Sequence, residues 1–141
     1  MSLGLYLHIP YCFSKCRYCD FYSHPGERGV PEAYVDALLR ELSRFAPEAP
    51  LQPDTLYFGG GTPSLLRPEQ AKRLIDAARP MPGAEITLEA NPETVTEESL
   101  AGFREAGVNR ISFGVQSARD TQLRTLGRPH TAKQERAAFA A

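Results

Sequence analysis

The sequence has 141 residues, enough for one domain with a hydrophobic core, and 23% of them are charged, as in ordinary globular proteins. A formal net charge of −1 argues against nucleic acid or an anionic membrane surface as the main partner. The first apolar segment is too short to span a bilayer, and no basic residue precedes it. We therefore predict a cytoplasmic protein without a membrane-spanning segment.

Segments with the apolar spacing of strands and of helices alternate along the chain. The first helix is expected to stop before Pro47, and the second strand to end at Gly59. Successive strand–helix units predict an α/β fold with a parallel sheet. A closed TIM-like (β/α) barrel needs roughly 250 residues, so about four units would form a partial barrel. In chain order the predicted elements are strand 3–9, helix 31–45, strand 54–58, helix 68–79, strand 85–90, helix 96–105, strand 110–115, helix 120–126 and a helix from 131.

Chemically distinctive residues follow each predicted strand. A polar loop with the cysteines, at about residues 10–30, follows the first strand, and a run of glycines at 59–61 follows the second. Glu89 lies at the end of the third strand and Gln116 at the end of the fourth. The carboxyl ends of parallel strands share one edge of the sheet, and ligands bind there. We therefore expect one binding site assembled from all four strand ends.

All three cysteines of the chain lie in that loop, as Cys12, Cys16 and Cys19. An odd number in so tight a group argues against disulfides and indicates metal ligands. Three thiolates suit an iron–sulfur cluster that leaves one iron without a protein ligand. The alternatives are a zinc site, completed by His8, His24 or Asp20, and cysteines with a purely structural role. The spacing favours the cluster over zinc, and zinc over inert cysteines.

The cysteine string resembles that of the radical S-adenosylmethionine (SAM) superfamily. The pattern Cys-x3-Cys-x2-Cys, with Tyr18 before the last cysteine, is similar to the family signature. The resemblance implies a [4Fe–4S] cluster on the three cysteines, with SAM on the open iron and reductive cleavage of SAM to a 5′-deoxyadenosyl radical. It also implies an electron donor such as a flavodoxin or ferredoxin. Residues 1–141 would be the N-terminal part of the family's core, without the rest of the barrel and the C-terminal domain.

The resemblance also implies SAM contacts after the second and third strands. Gly60, Gly61 and Thr62 match the glycine motif that meets the SAM amino group, and Glu89 matches a position that binds the ribose. Exposed peptide groups suit a polar zwitterion, and a carboxylate accepts hydrogen bonds from hydroxyls. Without the resemblance, the glycines would be read as a turn and Glu89 as a solvated carboxylate.

Four further positions resemble residues around the bound SAM of the family. Gln116 matches a strand end whose amide can donate and accept, and Arg128 matches a position whose cation can meet a carboxylate. Tyr6 and Tyr18 match aromatic positions near SAM. The alternatives are a surface role for Arg128 and packing roles for the two tyrosines. No residue is expected to act as a general acid or base, because the radical performs the chemistry.

The string from Tyr6 to Phe21 is similar to one branch of the superfamily. This branch contains the oxygen-independent coproporphyrinogen III oxidases and the HemW-type heme chaperones. The oxidases carry a further cysteine two residues after the third ligand, where this chain has Phe21. The difference favours the chaperone type, for which heme and a heme-acceptor protein are the implied partners. The alternatives are the oxidase, a heme carrier with a vestigial SAM site, and a zinc-binding module without catalysis.

Overall fold

The computed structural model describes residues 2–45 and 50–141. No helix within these residues is long and apolar enough to cross a bilayer. The predicted stop of the first helix before Pro47 lies outside the described residues. The strands are β1 (Gly4–Ile9), β2 (Tyr11–Cys12), β3 (His24–Pro25), β4 (Thr55–Gly60), β5 (Glu85–Ala90) and β6 (Arg110–Phe113). The helices are α1 (Glu32–Phe45), α2 (Pro68–Ala78), α3 (Glu97–Ala106), α4 (Asp120–Leu126) and α5 (Ala132–Ala140), with short 3-10 turns at Pro63–Leu65 and Pro92–Thr94.

Four strands form one parallel sheet in the order β1-β4-β5-β6, which confirms the predicted α/β fold. The register aligns Leu7 with Phe58 and Phe58 with Leu88, so apolar side chains of neighbouring strands share one face. Because side chains alternate along a strand, the other face carries polar and aromatic residues, including Tyr6, Tyr57 and Glu89.

The helices α1, α2 and α3 cover the apolar face of the sheet. Neighbouring helices pack against each other in this order, and their buried side chains join those of the strands in one core. Val35 of α1, Leu74 of α2 and Phe103 of α3 are almost completely buried there. A doubly wound sheet would carry helices on both faces, whereas a barrel has them outside only. The arrangement is therefore that of a section of a (β/α) barrel.

Local sequence explains where the elements begin and end. Thr96 and Ser99 exchange hydrogen bonds at the start of α3, with Ser99 in place of the usual glutamate or glutamine. The helix ends at Gly107, which has a φ of 112°. The second predicted strand, residues 54–58, corresponds to β4, which is longer than predicted because it continues through Gly59 to Gly60. These two glycines keep extended pairing with β1, and the strand ends one residue before Gly61.

Backbone hydrogen bonds hold the cysteine loop, residues 10–30, both internally and against the end of α4. Within it, β2 and β3 form a short parallel pair, and the His24 amide donates to the Pro10 carbonyl over 2.6 Å. In the middle of the loop, the Arg17 amide donates to the carbonyl of Leu126 at the end of α4. The loop therefore spans the carboxyl edge of the sheet, from β1 to the segment after β6.

Candidate functional site

The carboxyl edge of the sheet holds a pocket with a volume of about 280 Å³. This volume is close to the lower end of the roughly 300–1,000 Å³ typical of small-molecule sites. Its lining comes from the cysteine loop and from the ends of β4, β5 and β6, as the sequence pattern predicts. The predicted site residues in the lining are Cys12, Cys16, Tyr18, Cys19, Gly60, Gly61, Thr62, Glu89, Gln116 and Arg128.

The three cysteine side chains lie at different depths in the pocket. Cys12 is buried, whereas Cys16 and Cys19 are partly exposed, and all three are free thiols. The Thr62 hydroxyl donates to Cys12 Sγ over 3.4 Å, and Arg128 Nη1 donates to Cys16 Sγ over 3.3 Å. Among the described residues, no three His, Cys, Asp or Glu side chains are arranged to hold one metal ion.

Gly60 and Gly61 allow close approach between β4 and the cysteine loop. A Cβ on Gly61 would lie 2.9 Å from Cys12 Sγ and 2.7 Å from the Tyr11 carbonyl oxygen, so a side chain there requires the loop to move. Gly60 has a φ of 120°, and a Cβ would approach the His8 ring to 2.7 Å. Space therefore requires glycine at both positions, and the positive φ requires it at Gly60 as well.

Glu89 is held at the end of β5 by two donors. The Tyr57 hydroxyl donates to Oε1 over 2.8 Å, and the Gly60 amide donates to Oε2 over 3.2 Å. Burial, followed by the hydrogen bond to Glu89, raises the pKa of Tyr57, so its phenol remains protonated and able to donate. The carboxylate is fixed at the pocket wall, and its remaining lone pairs can accept further hydrogen bonds.

Arg128 and Gln116 complete the side of the pocket after β6. Arg128 is almost completely buried, and Nη2 donates to Asn91 Oδ1 over 2.7 Å and to the Gly114 carbonyl over 2.5 Å. Its Nε is buried without a hydrogen-bond partner among the described residues. Gln116 has a φ of 67°, an uncommon conformation for a residue other than glycine. Such strain at a pocket wall is typical of functional sites.

The structure separates the two tyrosines that the sequence grouped together. Tyr18 lines the pocket near Cys16 and Arg128, and burial is the main cause of its raised pKa. Tyr6 is 54% exposed and is not among the lining residues. Its ring stacks on Tyr57, whose hydroxyl donates to Glu89, with a centroid distance of 6.0 Å.

Several lining residues were not identified as site residues from the sequence. Asn91 donates to Thr62 Oγ1 over 3.2 Å and accepts from Arg128, which places it between two predicted site residues. Its position directly after β5 indicates the site, because polar residues that follow parallel strands meet at the same edge of the sheet. Gly114 stands two residues before Gln116 in the same strand end, whereas Ser112 gave no signal in the sequence.

A buried charged cluster lies beside the pocket. His130 Nδ1 is 3.0 Å from Glu93 Oε2, and Nε2 is 2.9 Å from Glu135 Oε1. The imidazole is fully buried, and Nε2 is also 3.2 Å from the carbonyl of Val115, next to Gln116. The cluster joins α5 and the turn after β5 to the segment that follows β6, and the sequence did not predict a role for His130.

Residues 6–141 match the radical SAM superfamily. The chain is 46% identical over 134 residues to the heme chaperone HemW of Escherichia coli K12, covering 91% of this chain and 35% of the relative. It is 41% identical to the heme chaperone HemW of Haemophilus influenzae, covering 96% of this chain and 38% of the relative. The chain thus spans about a third of the length of these curated relatives.

The fold has a close counterpart among solved structures. It superimposes on the coproporphyrinogen III oxidase (HemN) of Escherichia coli, described as a radical SAM enzyme, with a TM-score of 0.84. The two are 30% identical, and the match covers 99% of this chain and 33% of that chain. This similarity confirms the partial TIM-like barrel. Because the family match covers nearly the whole chain, the chain belongs to the radical SAM superfamily, whose cofactors are SAM and an iron–sulfur cluster.

Proposed function

We propose that this chain is the N-terminal part of a radical SAM core that binds a [4Fe–4S] cluster on Cys12, Cys16 and Cys19. The observation that carries the proposal is the convergence of three free thiols on one pocket with residues from three strand ends. Thiolates are the ligands that iron–sulfur clusters take, and donors within reach of two of the sulfurs fit a negatively charged cluster.

The same pocket supports a SAM site beside the cluster. The glycines at 60 and 61 bring peptide groups to its wall, Glu89 offers a fixed carboxylate, and Arg128 offers a cation. A zwitterionic ligand with a ribose has partners of the right charge in these groups. When bound, cluster and SAM supply a 5′-deoxyadenosyl radical. The residues of this chain bind and orient the two cofactors, and none is assigned a proton-transfer role.

The test is anaerobic reconstitution with iron and sulfide, followed by EPR of the reduced protein with and without SAM. A [4Fe–4S]⁺ signal that changes shape on addition of SAM is the expected result. Stoichiometric zinc in a colourless protein would contradict the proposal.

Glu89→Gln tests the SAM contacts separately from the cluster. The substitution keeps the size of the side chain and removes its charge, so iron content should be unchanged while more SAM is needed to alter the EPR signal. Glu69→Gln, on the exposed outer face at α2, is the matched control. Equal SAM titrations for both variants would remove Glu89 from the site.

For the whole protein, we propose a heme chaperone of the HemW type, in which heme and a heme-acceptor protein are the partners. The relatives named above support this assignment, and so does Phe21 at the position where the oxidases carry a further cysteine. The alternative, oxidative decarboxylation of coproporphyrinogen III, is favoured by the structural similarity to HemN. Heme binding by the full-length protein without decarboxylation supports the chaperone, and decarboxylation with SAM consumption supports the oxidase.

A further inference from the structure

A continuous chain of hydrogen bonds connects the sulfur atoms of Cys12 and Cys16. The Thr62 hydroxyl donates to Cys12 Sγ over 3.4 Å and accepts from Asn91 Nδ2 over 3.2 Å. On the other side, Arg128 Nη2 donates to Asn91 Oδ1 over 2.7 Å, and Nη1 donates to Cys16 Sγ over 3.3 Å. The chain therefore joins segments that follow β4, β5 and β6, and Asn91 is its central member.

The surroundings of Asn91 fix the direction of its amide. Its backbone is held by the following 3-10 turn, because the Thr94 hydroxyl donates to the Asn91 carbonyl over 2.8 Å. Gly114 leaves room for the side chain, since a Cβ there would lie 2.7 Å from Asn91 Oδ1. The amide must donate on one side and accept on the other. A carboxylate only accepts, and an aliphatic side chain does neither.

We propose that Asn91 is a positioning residue that aims Thr62 and Arg128 at the sulfurs of Cys12 and Cys16 and thereby raises the reduction potential of the cluster. This inference rests on the proposed cluster. A reduced cluster carries one more negative charge than an oxidised one, and hydrogen bonds to its sulfurs stabilise that charge. The bond from Arg128 is charge-assisted and is expected to contribute more than the bond from Thr62.

The experiment compares Asn91→Ala with Asn109→Ala in the full-length protein after anaerobic reconstitution. Asn109 also makes two side-chain hydrogen bonds around β5, to the Ile86 amide and the Ala84 carbonyl, but at the opposite end of the strand. An EPR-monitored redox titration gives the midpoint potential of each protein. We expect Asn91→Ala to lower the equilibrium constant for one-electron reduction of the cluster by about tenfold, which makes the midpoint potential roughly 59 mV more negative. Asn109→Ala should leave the midpoint potential unchanged.

A second variant keeps the test decisive if Asn91→Ala takes up little iron. Thr62→Val removes only the hydroxyl donor to Cys12 and should shift the potential in the same direction by a smaller amount. Where Asn91→Ala retains its cluster, the double variant should show less than the sum of the two separate shifts, because part of the influence of Asn91 acts through Thr62. Strict additivity, or no shift from Thr62→Val, would overturn the proposal.

The outcomes separate this inference from the proposed function. If the unaltered protein binds a cluster whose EPR signal responds to SAM, but both asparagine variants keep its midpoint potential, the cluster assignment stands and the role of Asn91 is refuted. If the unaltered protein binds no cluster at all, both proposals are wrong. A negative shift confined to Asn91→Ala and Thr62→Val supports both.

Discussion

The two ends of the parallel sheet use their polar side chains in different ways. At the amino end, side chains pair with the main chain: Asn109 bonds both the Ile86 amide and the Ala84 carbonyl, and Asp54 accepts from the Leu3 amide over 2.7 Å. At the carboxyl end, Arg128 also bonds the main chain at Gly114, but it pairs in addition with the side chain of Asn91, and both line the pocket.

The comparison shows why one end can change its chemistry while the other preserves the fold. At the amino end, the bonds of Asn109 and Asp54 hold main-chain groups in place. Bonds among side chains at the carboxyl end organise a pocket, and Arg128 Nε keeps a buried donor without a partner among the described residues. This division matches the general behaviour of (β/α) barrels, in which one face serves catalysis and the other stability.

The largest expected effect is loss of the cluster in Cys16→Ala. Cys16 is partly exposed, so the polypeptide should fold as before while iron uptake and the visible absorbance of the reconstituted protein disappear. Iron analysis and far-UV circular dichroism measure the two properties separately. Ser14→Ala, in the same loop and pocket lining, should retain iron. A Cys16→Ala protein with full iron content would break the functional side of the comparison.

His130 is a residue at the carboxyl end of the sheet that we expect to stabilise the fold, and its substitution tests how strictly the two ends divide binding from stability. His130→Ala leaves the mostly buried carboxyl groups of Glu93 and Glu135 without their hydrogen-bond partner, which is expected to lower the free energy of unfolding by about 1–3 kcal/mol. Urea denaturation measures the change. His24→Ala is the control, because His24 is exposed and should change stability by less than about 0.5 kcal/mol. Equal effects would contradict the structural role.

At the amino end, Asn109→Ala should lower the free energy of unfolding by about 1–2 kcal/mol, because two main-chain groups lose their partners. Cluster content and the response of the EPR signal to SAM should remain as in the unaltered protein. Denaturation and iron analysis on the same preparation give both values. A variant with intact stability but lost SAM response would reverse the assignment of the two ends.

The smallest effect is expected on the outer surface, where Glu32 joins α1 to α2. A hydrogen bond from Gln70, followed by those from Arg73 and Arg67, holds the pKa of Glu32 below its ordinary value of 4.5. Its contribution is therefore complete above that pH and is lost as the pH falls through the lower, folded-state value. Glu32→Gln should destabilise slightly at neutral pH and not in acid or high salt.

The control for this substitution is Glu41→Gln on the same helix, where the carboxylate pairs with Arg44 three residues later. Denaturation curves at neutral and acidic pH should differ between Glu32→Gln and the unaltered protein only at neutral pH. The same pH dependence in Glu41→Gln would show that helix charge, and not the link between α1 and α2, is responsible.

The sequence predicted the architecture and most of the pocket lining, because apolar periodicity and breaks after strands are local properties. The strand Glu85–Ala90 and the helix Asp120–Leu126 were predicted at their observed bounds. The extension of β4 through Gly59 and Gly60 was missed, since glycine favours turns locally. Pairing with β1 overrides this preference, and such pairing is not visible in a local pattern.

The hydrogen-bond partners of the site residues could not be predicted from the sequence. Arg128 and Cys16 are 112 positions apart, and Asn91 and Arg128 are 37 apart, so only the folded sheet brings them together. The distance of Tyr6 from the pocket and the partners of His130 have the same origin. The residue types predicted the chemistry of the site, whereas the individual contacts depend on strand order and register.

The three consecutive glycines after Phe58 face three different neighbours. An added methyl would lie 2.7 Å from the Tyr6 ring at Gly59, 2.7 Å from the His8 ring at Gly60, and 2.9 Å from Cys12 Sγ at Gly61. Single alanine substitutions along this run would therefore act as three separate probes, two of aromatic side chains of β1 and one of a proposed cluster ligand. Three identical residues in a row therefore have three different neighbours in the folded chain, and a substitution at each one tests a different contact.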